Sequence, residues 1–324
     1  MSKRITIFGA GAWGTAVAQL LASNGHQVTL WTRELATAVE INTLHTNKKY
    51  VPTALLHTQI TATTDIEQAL DSPDWLVEAL PVAHLRAILT AIFQHSVGQD
   101  IPWLMLSKGI EQKTNLLPSA LLDDVCGFSV PKVIVAGPTF AKELIVGAFT
   151  ATMLASDSAL LLQEAQLLLQ SAYFKTYLTS DVIGVQVGGA VKNVIALAAG
   201  FAHGIGGGEN MHAYLLTQGF AELAQVIEIY GGRSATSTSL AGLGDLVLTA
   251  SSSISKNFRA GVLLSKGATL ETLQQEIACL PEGINTVQSL HALSIQRGVT
   301  LPLCSLVYDC IFNGASFNVK LHNL

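Results

Sequence analysis

The sequence predicts an α/β protein, a doubly wound and mostly parallel β-sheet followed by an all-helical substrate domain. Three observations carry this reading. Residues 1–180 alternate short β-rich runs with amphipathic helical ones, the order that places helices on both faces of a parallel sheet. Gly9-Ala10-Gly11-Ala12-Trp13-Gly14 falls between the first strand run and the first helical run, the context a Rossmann-like dinucleotide turn requires. From about residue 181 the helical period continues without a convincing strand. The expected division is a dinucleotide-binding domain over residues 1–180 and a helical substrate-binding domain over 181–324.

Taken in order, 5–8 (Ile-Thr-Ile-Phe) opens the sheet, and 27–32, 59–63, 75–80, 103–106 and 133–135 read as further strands, being β-branched or apolar runs between turn signals. Helical spacing at 15–23, 84–93 and 116–122 separates several of them, and a helix over 159–171 ends the half. The second half reads as helices at 182–202, 213–230, 256–264, 270–277, 286–297 and 302–312, with a glycine-rich Ala241-Gly242-Leu243-Gly244-Asp245 among them. Repeats, low-complexity tracts and long charge runs are absent from the sequence.

Composition narrows the function. With 324 residues, 49% hydrophobic and 13% charged, the chain has ample apolar material for two buried cores. A formal net charge of -5 gives no broad basic face, which argues against general nucleic-acid binding or adhesion to anionic membranes. Cys126, Cys279, Cys304 and Cys310 form no CxxC pair and have no zinc-ligand spacing to histidine, so they read as reduced thiols of a cytoplasmic protein. Lys3-Arg4 before an apolar stretch resembles a secretory signal, but three glycines and two threonines within residues 5–22 oppose that. The best candidate for a membrane span is interrupted by Lys192 and Asn193, so no integral membrane segment is expected.

The cofactor motif has a role for each glycine: Gly9 for the tight turn, Gly11 for close backbone approach to a pyrophosphate, Gly14 for helix-to-strand packing. Free N–H groups at the helix start then bind the anion. The second strand run ends at Arg33-Glu34. An acid there suits the 2′-hydroxyl of NAD and an arginine the 2′-phosphate of NADP. Arg33 lies nearer the strand tip, which favours NADP or dual use, beside the plainer reading of a solvated charge pair.

The substrate side centres on Lys192-Asn193, set in the otherwise apolar run 188–200. An ammonium is costly to desolvate, so an interior lysine implies a partner or a substrate; the plainer reading is a stem that carries the charge out to solvent. Lys108 and the run Gly137-Pro138-Thr139 follow strands at the carboxyl edge, where such sheets place ligands, though a loop lysine and a turn are equally ordinary there. Asp245 could pair with a buried ammonium or simply cap the helix that follows. Ser255-Lys256-Asn257-Phe258-Arg259 opens a helix with a capping serine and two cations, a start that suits a phosphate or only a solvated helix end. His203 and His212 lack the spacing of helix-face ligands and a third partner, so no metal is expected.

With these segments identified, the chain resembles the bacterial NAD(P)-dependent glycerol-3-phosphate dehydrogenases along nearly its whole length. The resemblance rests on GAGAWGTA at 9–16, SKGIE at 107–111, AGPTFAKE at 136–143, VGGAVKNVIALAAG at 187–200, LAGLGDLVLT at 240–249, SKNFRAG at 255–261 and PEGINT at 281–286. It implies reduction of dihydroxyacetone phosphate to sn-glycerol 3-phosphate for phospholipid synthesis, with NADP or NAD and no metal, by a cytoplasmic homodimer. It makes Lys192 the acid/base and places Lys108 against substrate and nicotinamide. Gly137 and Thr139 would line the substrate pocket, Asp245 would hold lysine and substrate, and Ser255, Lys256 and Asn257 would bind the glycerol phosphate. Ala12, Trp13, Arg33, Ala141, Lys256, Leu280 and Glu282 fall at cofactor-contacting positions.

Two positions depart from the family pattern. Ala12 replaces the usual serine of GxGSxG and removes a hydroxyl donor. Lys256 replaces the usual arginine, and a lysine lacks the bidentate fork, which shifts phosphate binding toward Arg259. In the mechanism this implies, burial and Lys108 lower the Lys192 pKa and Asp245 limits the fall, while Asn193 hydrogen-bonds a substrate hydroxyl. The rival readings are a β-hydroxyacid or ketopantoate type reductase, disfavoured by the adjacency of Lys192 and Asn193 and by the basic 255–259 start, and a nicotinamide-binding sensor without catalysis.

Overall fold

The computed structural model describes residues 2–95, 97–277, 280–321 and 324; Cys279 lies outside the described residues. The chain forms two compact units, the first made of Met1–Ser107, Ser119–Val135 and Thr139–Val182, the second of Lys108–Pro118, Ala136–Pro138 and Ile183–Leu324. Cys126, Cys304 and Cys310 are free thiols.

The first unit is built on eight strands: β1 Arg4–Phe8, β2 Gln27–Trp31, β3 Ile60–Thr63, β4 Trp75–Glu78, β5 Trp103–Met105, β6 Lys132–Ala136, β7 Thr150–Ala155 and β8 Phe174–Thr179. They lie in the order β3-β2-β1-β4-β5-β6-β7-β8, so the winding reverses between β1 and β4, where an open sheet leaves a crevice at its carboxyl edge. The pairs from β3 through β6 are parallel, with Ile5 opposite both Val28 and Trp75. Helices Ala12–Ser23, Val82–Phe93, Pro118–Cys126 and Ala159–Leu169 accompany the sheet. Central strands covered on both faces need apolar residues at successive positions, and Ile5, Ile7, Phe8, Leu76, Val77 and Leu104 are all buried.

The pattern-based reading has no counterpart for β7 and β8. Ser156, just past the end of β7, donates to the carbonyl of Lys132 at the start of β6 (2.8 Å), so β7 runs opposite to its neighbour. An antiparallel return needs no long crossover, and the connection contains only the one-turn helix Ala141–Leu144. β8 pairs in parallel with β7 at the sheet edge, where only Phe174 and Thr176 are buried. Neither strand carries the continuous apolar run that marks the central ones.

In the second unit the helix Val182–Gly204 is buried without a break from Gly184 to Ala202. A helix apolar on all sides belongs in a core. It is the only described helix long and apolar enough to cross a membrane, and 89% of that stretch is buried inside the protein. Around it lie Glu209–Ile229, Lys256–Ser265, Leu270–Glu276, Glu282–Arg297, Pro302–Phe312 and Phe317–Leu321. The helices Val182–Gly204 and Lys256–Ser265 cross in close contact, since a Cβ on Gly261 would stand 2.2 Å from the carbonyl oxygen of Leu197. Helix ends are satisfied locally: Ser255 and Thr269 accept from the third residue beyond them. Buried Glu222 does the same at a distance, accepting from the N–H groups of Leu303 and Cys304 at the start of Pro302–Phe312.

Candidate active site and cofactor cradle

Two groups of predicted residues acquire geometry, one in each unit. In the first unit Gly9 adopts φ +118°, and a Cβ there would lie 2.4 Å from the Ala79 carbonyl oxygen. A Cβ on Gly14 would lie 2.0 Å from the Gly9 carbonyl oxygen. Both glycines are therefore demanded by packing. Gly11 differs: its φ is -69°, and a Cβ would meet nothing within 4 Å. The space beside Gly11 is open at the point where Ala12–Ser23 begins without a side-chain cap. Trp13 lies in this first turn with its indole N–H buried and without a partner. An open backbone approach, uncapped N–H groups and an orphaned donor fit a dinucleotide pyrophosphate.

At the end of β2, Arg33 and Glu34 are both exposed. Glu34 is engaged by Lys49 at 2.5 Å and by the Thr37 hydroxyl at 3.1 Å, and the Lys49 hydrogen bond is the main cause holding its carboxyl below the usual range. Thr139 follows β6 in this unit, and Ala141 opens the short helix Ala141–Leu144.

The second unit gathers Lys192, Asp245, Lys108 and Gly137. Lys192 is 6% exposed, so its stem does not carry the charge to solvent. Its Nζ donates to Asp245 Oδ1 and to Thr249 Oγ1 (3.0 Å). Asp245, 1% exposed, takes Lys108 Nζ on its other oxygen at 2.7 Å, and Lys108 Nζ also donates to the Gly137 carbonyl at 2.9 Å. One carboxylate thus binds two ammonium groups. Asp245 opens the helix Asp245–Ala250 after a single π-helical turn, Leu240–Gly244, so the capping position falls on Gly244 and not on Asp245. Gly188 permits the approach of this turn, because a Cβ on it would stand 2.6 Å from the Ala241 carbonyl oxygen. The Lys108 stem packs over Gly189 in the same way, 3.3 Å from where a Cβ would be.

Burial is the main influence on Lys192 and brings its pKa down to about 7; Asp245 opposes the fall and Lys108 adds to it. An amine at that value exchanges protons readily near neutral pH.

Other predicted residues have different surroundings. Asn193 donates to the Gly189 carbonyl (3.3 Å) and accepts from Asn257 Nδ2 (2.8 Å), while Asn257 Oδ1 accepts from the Gly283 N–H (2.9 Å). These amides tie three helices together. Ser255 caps its helix through the Phe258 N–H. On the same first turn Lys256 and Arg259 are exposed, and three-residue spacing puts both cations on one face. Leu280 precedes, and Glu282 opens, the helix Glu282–Arg297. His203 packs near the Phe258 ring and His212 reaches Ser251. Thr249 is a partner of Lys192 that the motifs do not single out; its signal is the four-residue spacing from Asp245, one helical turn along the same face.

Models of known families match both halves of the chain: the NAD-dependent glycerol-3-phosphate dehydrogenase N-terminus over residues 4–161 and the C-terminus of the same enzyme over 181–321. A glycerol-3-phosphate dehydrogenase [NAD(P)+] of Bacillus cereus (strain B4264) is 37% identical over 319 residues, covering 98% of this chain and 93% of the relative. The crystal structure of glycerol-3-phosphate dehydrogenase from Coxiella burnetii superposes with a TM-score of 0.94 at 30% identity, covering 99% of this chain and 98% of that one. A ketopantoate reductase from Ralstonia eutropha, 15% identical with a TM-score of 0.62, shares the fold alone. Matched in both halves and along nearly all of its length, the chain belongs to the NAD(P)-dependent glycerol-3-phosphate dehydrogenase family.

Proposed function

We propose that Lys192 is the general acid/base in the NAD(P)H-linked reduction of dihydroxyacetone phosphate to sn-glycerol 3-phosphate. The observation that carries this is the buried Lys192–Asp245 pair with half-buried Lys108 on the other carboxylate oxygen, and Lys192 brought to about 7. Bound NAD(P)H supplies the hydride that reduces the C2 carbonyl. Protonated Lys192 gives its proton to the C2 oxygen as negative charge develops there, and neutral Lys192 takes it back in the oxidative direction. Lys108 offsets the same charge, and Asp245 keeps both ammonium groups in place.

Lys256 and Arg259 hold the substrate phosphate, with Ser255 and Asn257 fixing the turn that presents them. Gly137 and Thr139 line the substrate pocket. Asn193 acts by holding Asn257 as well as by meeting a substrate hydroxyl. For the cofactor, Gly9, Gly11, Ala12, Trp13 and Gly14 cradle the pyrophosphate and Arg33 meets the adenosine ribose, with Glu34 already engaged by Lys49. Ala141, Leu280 and Glu282 complete the cofactor contacts. The domains are 1–180 for the cofactor and 181–324 for the substrate. The enzyme works as a cytoplasmic homodimer that supplies phospholipid synthesis.

The test is to follow NADH and NADPH oxidation separately with dihydroxyacetone phosphate, using ketopantoate as the control. Oxidation with the phosphate and none with ketopantoate is expected; the reverse pattern overturns the proposal.

A further inference from the structure

Another buried ionisable group, Glu78, plays no part in the chemistry above. It is the last residue of β4, 0% exposed, and lies opposite Phe8 of β1 and Met105 of β5. Its Oε1 accepts from the Leu80 N–H at 2.6 Å, and its Oε2 accepts from the Ser107 N–H at 3.2 Å. The Ser107 hydroxyl lies in hydrogen-bond contact with both Glu78 Oε1 and the Leu80 carbonyl oxygen.

A hydroxyl has one hydrogen, so it can donate to only one of those two acceptors. Were Glu78 ionised, one of the two oxygen pairs would be left without a proton between them. A proton on Glu78 Oε1 removes the conflict: the carboxylic acid donates to Ser107 Oγ, and Ser107 donates to the Leu80 carbonyl. Every buried polar atom in the chain Glu78–Ser107–Leu80 is then satisfied. Burial also raises the affinity of Glu78 for that proton.

We propose that Glu78 is a positioning residue that acts as a neutral carboxylic acid, clasping Ser107 at the exit of β5 and so fixing the backbone from which the next residue, Lys108, leaves the sheet. This rests on the role proposed above for Lys108. A displacement of about 1 Å at a catalytic group can cost roughly a hundredfold in rate, so a rigid exit from β5 matters to turnover.

The experiment compares Glu78→Gln, Glu78→Leu and Ser107→Ala in the full-length enzyme. Glutamine keeps the shape and a donor for Ser107 Oγ but loses the acceptor for the Leu80 N–H, so a smaller loss of kcat is expected than in Glu78→Leu, which loses roughly tenfold or more. Ser107→Ala leaves β4 intact, covering the case in which Glu78→Leu fails to fold, and is expected to lose kcat in the same direction. The protonation state is read without turnover: the infrared carbonyl band of a protonated carboxyl is expected in the parent near pH 6 and missing in Glu78→Gln. No such band, or full turnover in both Glu78→Leu and Ser107→Ala, overturns the proposal. A failure of the assigned reaction instead shows as absent turnover in the parent with the band unchanged.

Discussion

Asp245→Asn removes the single negative charge between the buried Lys192 ammonium and the half-buried Lys108 ammonium while keeping the shape of the side chain. Lys192 Nζ donates to one carboxylate oxygen and Lys108 Nζ lies 2.7 Å from the other. A unit charge about 4 Å away in surroundings of effective dielectric about 20 is worth about 4 kcal/mol, or about 3 pKa units at 1.36 kcal/mol each. Water entry and relaxation reduce this, leaving an expected fall of roughly 1 to 2 units below the value of about 7 that Lys192 holds in the parent. Reduction needs the protonated amine, so its rate declines as the pH rises through the Lys192 pKa. In Asp245→Asn that alkaline limb moves to lower pH by the same 1 to 2 units, roughly. The protonated share at pH 7 falls from about half to a few per cent, and because a more acidic amine is a better donor the net loss of rate is roughly tenfold. The assay is the initial rate of NADPH oxidation by dihydroxyacetone phosphate between about pH 5 and pH 9. An alkaline limb that stays at the parent position would refute the idea that Asp245 sets the charge of Lys192.

Gly11→Ala places its Cβ in open space, so stability should change by about 1 kcal/mol or less while NADPH affinity, read by fluorescence titration, drops roughly tenfold or more. Gly14→Ala instead forces a Cβ to 2.0 Å from the Gly9 carbonyl oxygen and should lower stability by about 1–3 kcal/mol in denaturant titration. Thr249→Val removes a neutral oxygen acceptor from Lys192, and the alkaline limb should shift to lower pH by less than about one unit. Glu78 has a folded pKa of about 7 against an ordinary value of 4.5, so the folded protein holds this proton more tightly. Its stabilising contribution is complete below about pH 4.5 and is lost as the pH rises through about 7, by about 3 kcal/mol in all. The stability of Glu78→Gln relative to the parent should therefore rise between about pH 5 and pH 8; a constant difference would contradict the raised pKa.

The parts of this structure that were legible in the sequence are those that leave a mark in residue order. The glycine turn is legible because Gly9 and Gly14 have no room for a Cβ, and the strand before and helix after it fix the context. Lys192 is legible because an ammonium in an apolar helix is costly, and its partners Asp245 and Lys108 belong to segments that also interrupt apolar surroundings. β7 and β8 are not legible in the same way: β7 draws on Thr, Ala and Met, and β8 buries only one face at the edge. Ser255 and Asn257 are less legible, because the residue types that cap a helix and make the Asn193 link are also those that would meet a phosphate at a helix start. Thr249 leaves little mark in residue order, because a threonine in a helix is common and only the position of Asp245 one turn before it gives it meaning. Glu78 carried a signal of the same kind as Lys192, an acid ending the apolar run Trp75–Glu78.

The central claim is that Lys192 transfers the proton. It is tested most directly by measuring kcat for dihydroxyacetone phosphate reduction in Lys192→Ala, alongside NADPH affinity and a thermal melt of the same sample. Intact melting and cofactor binding with kcat reduced by roughly 10²- to 10⁴-fold is the predicted result. A folded, NADPH-binding Lys192→Ala enzyme that turns over within a few-fold of the parent would contradict the account.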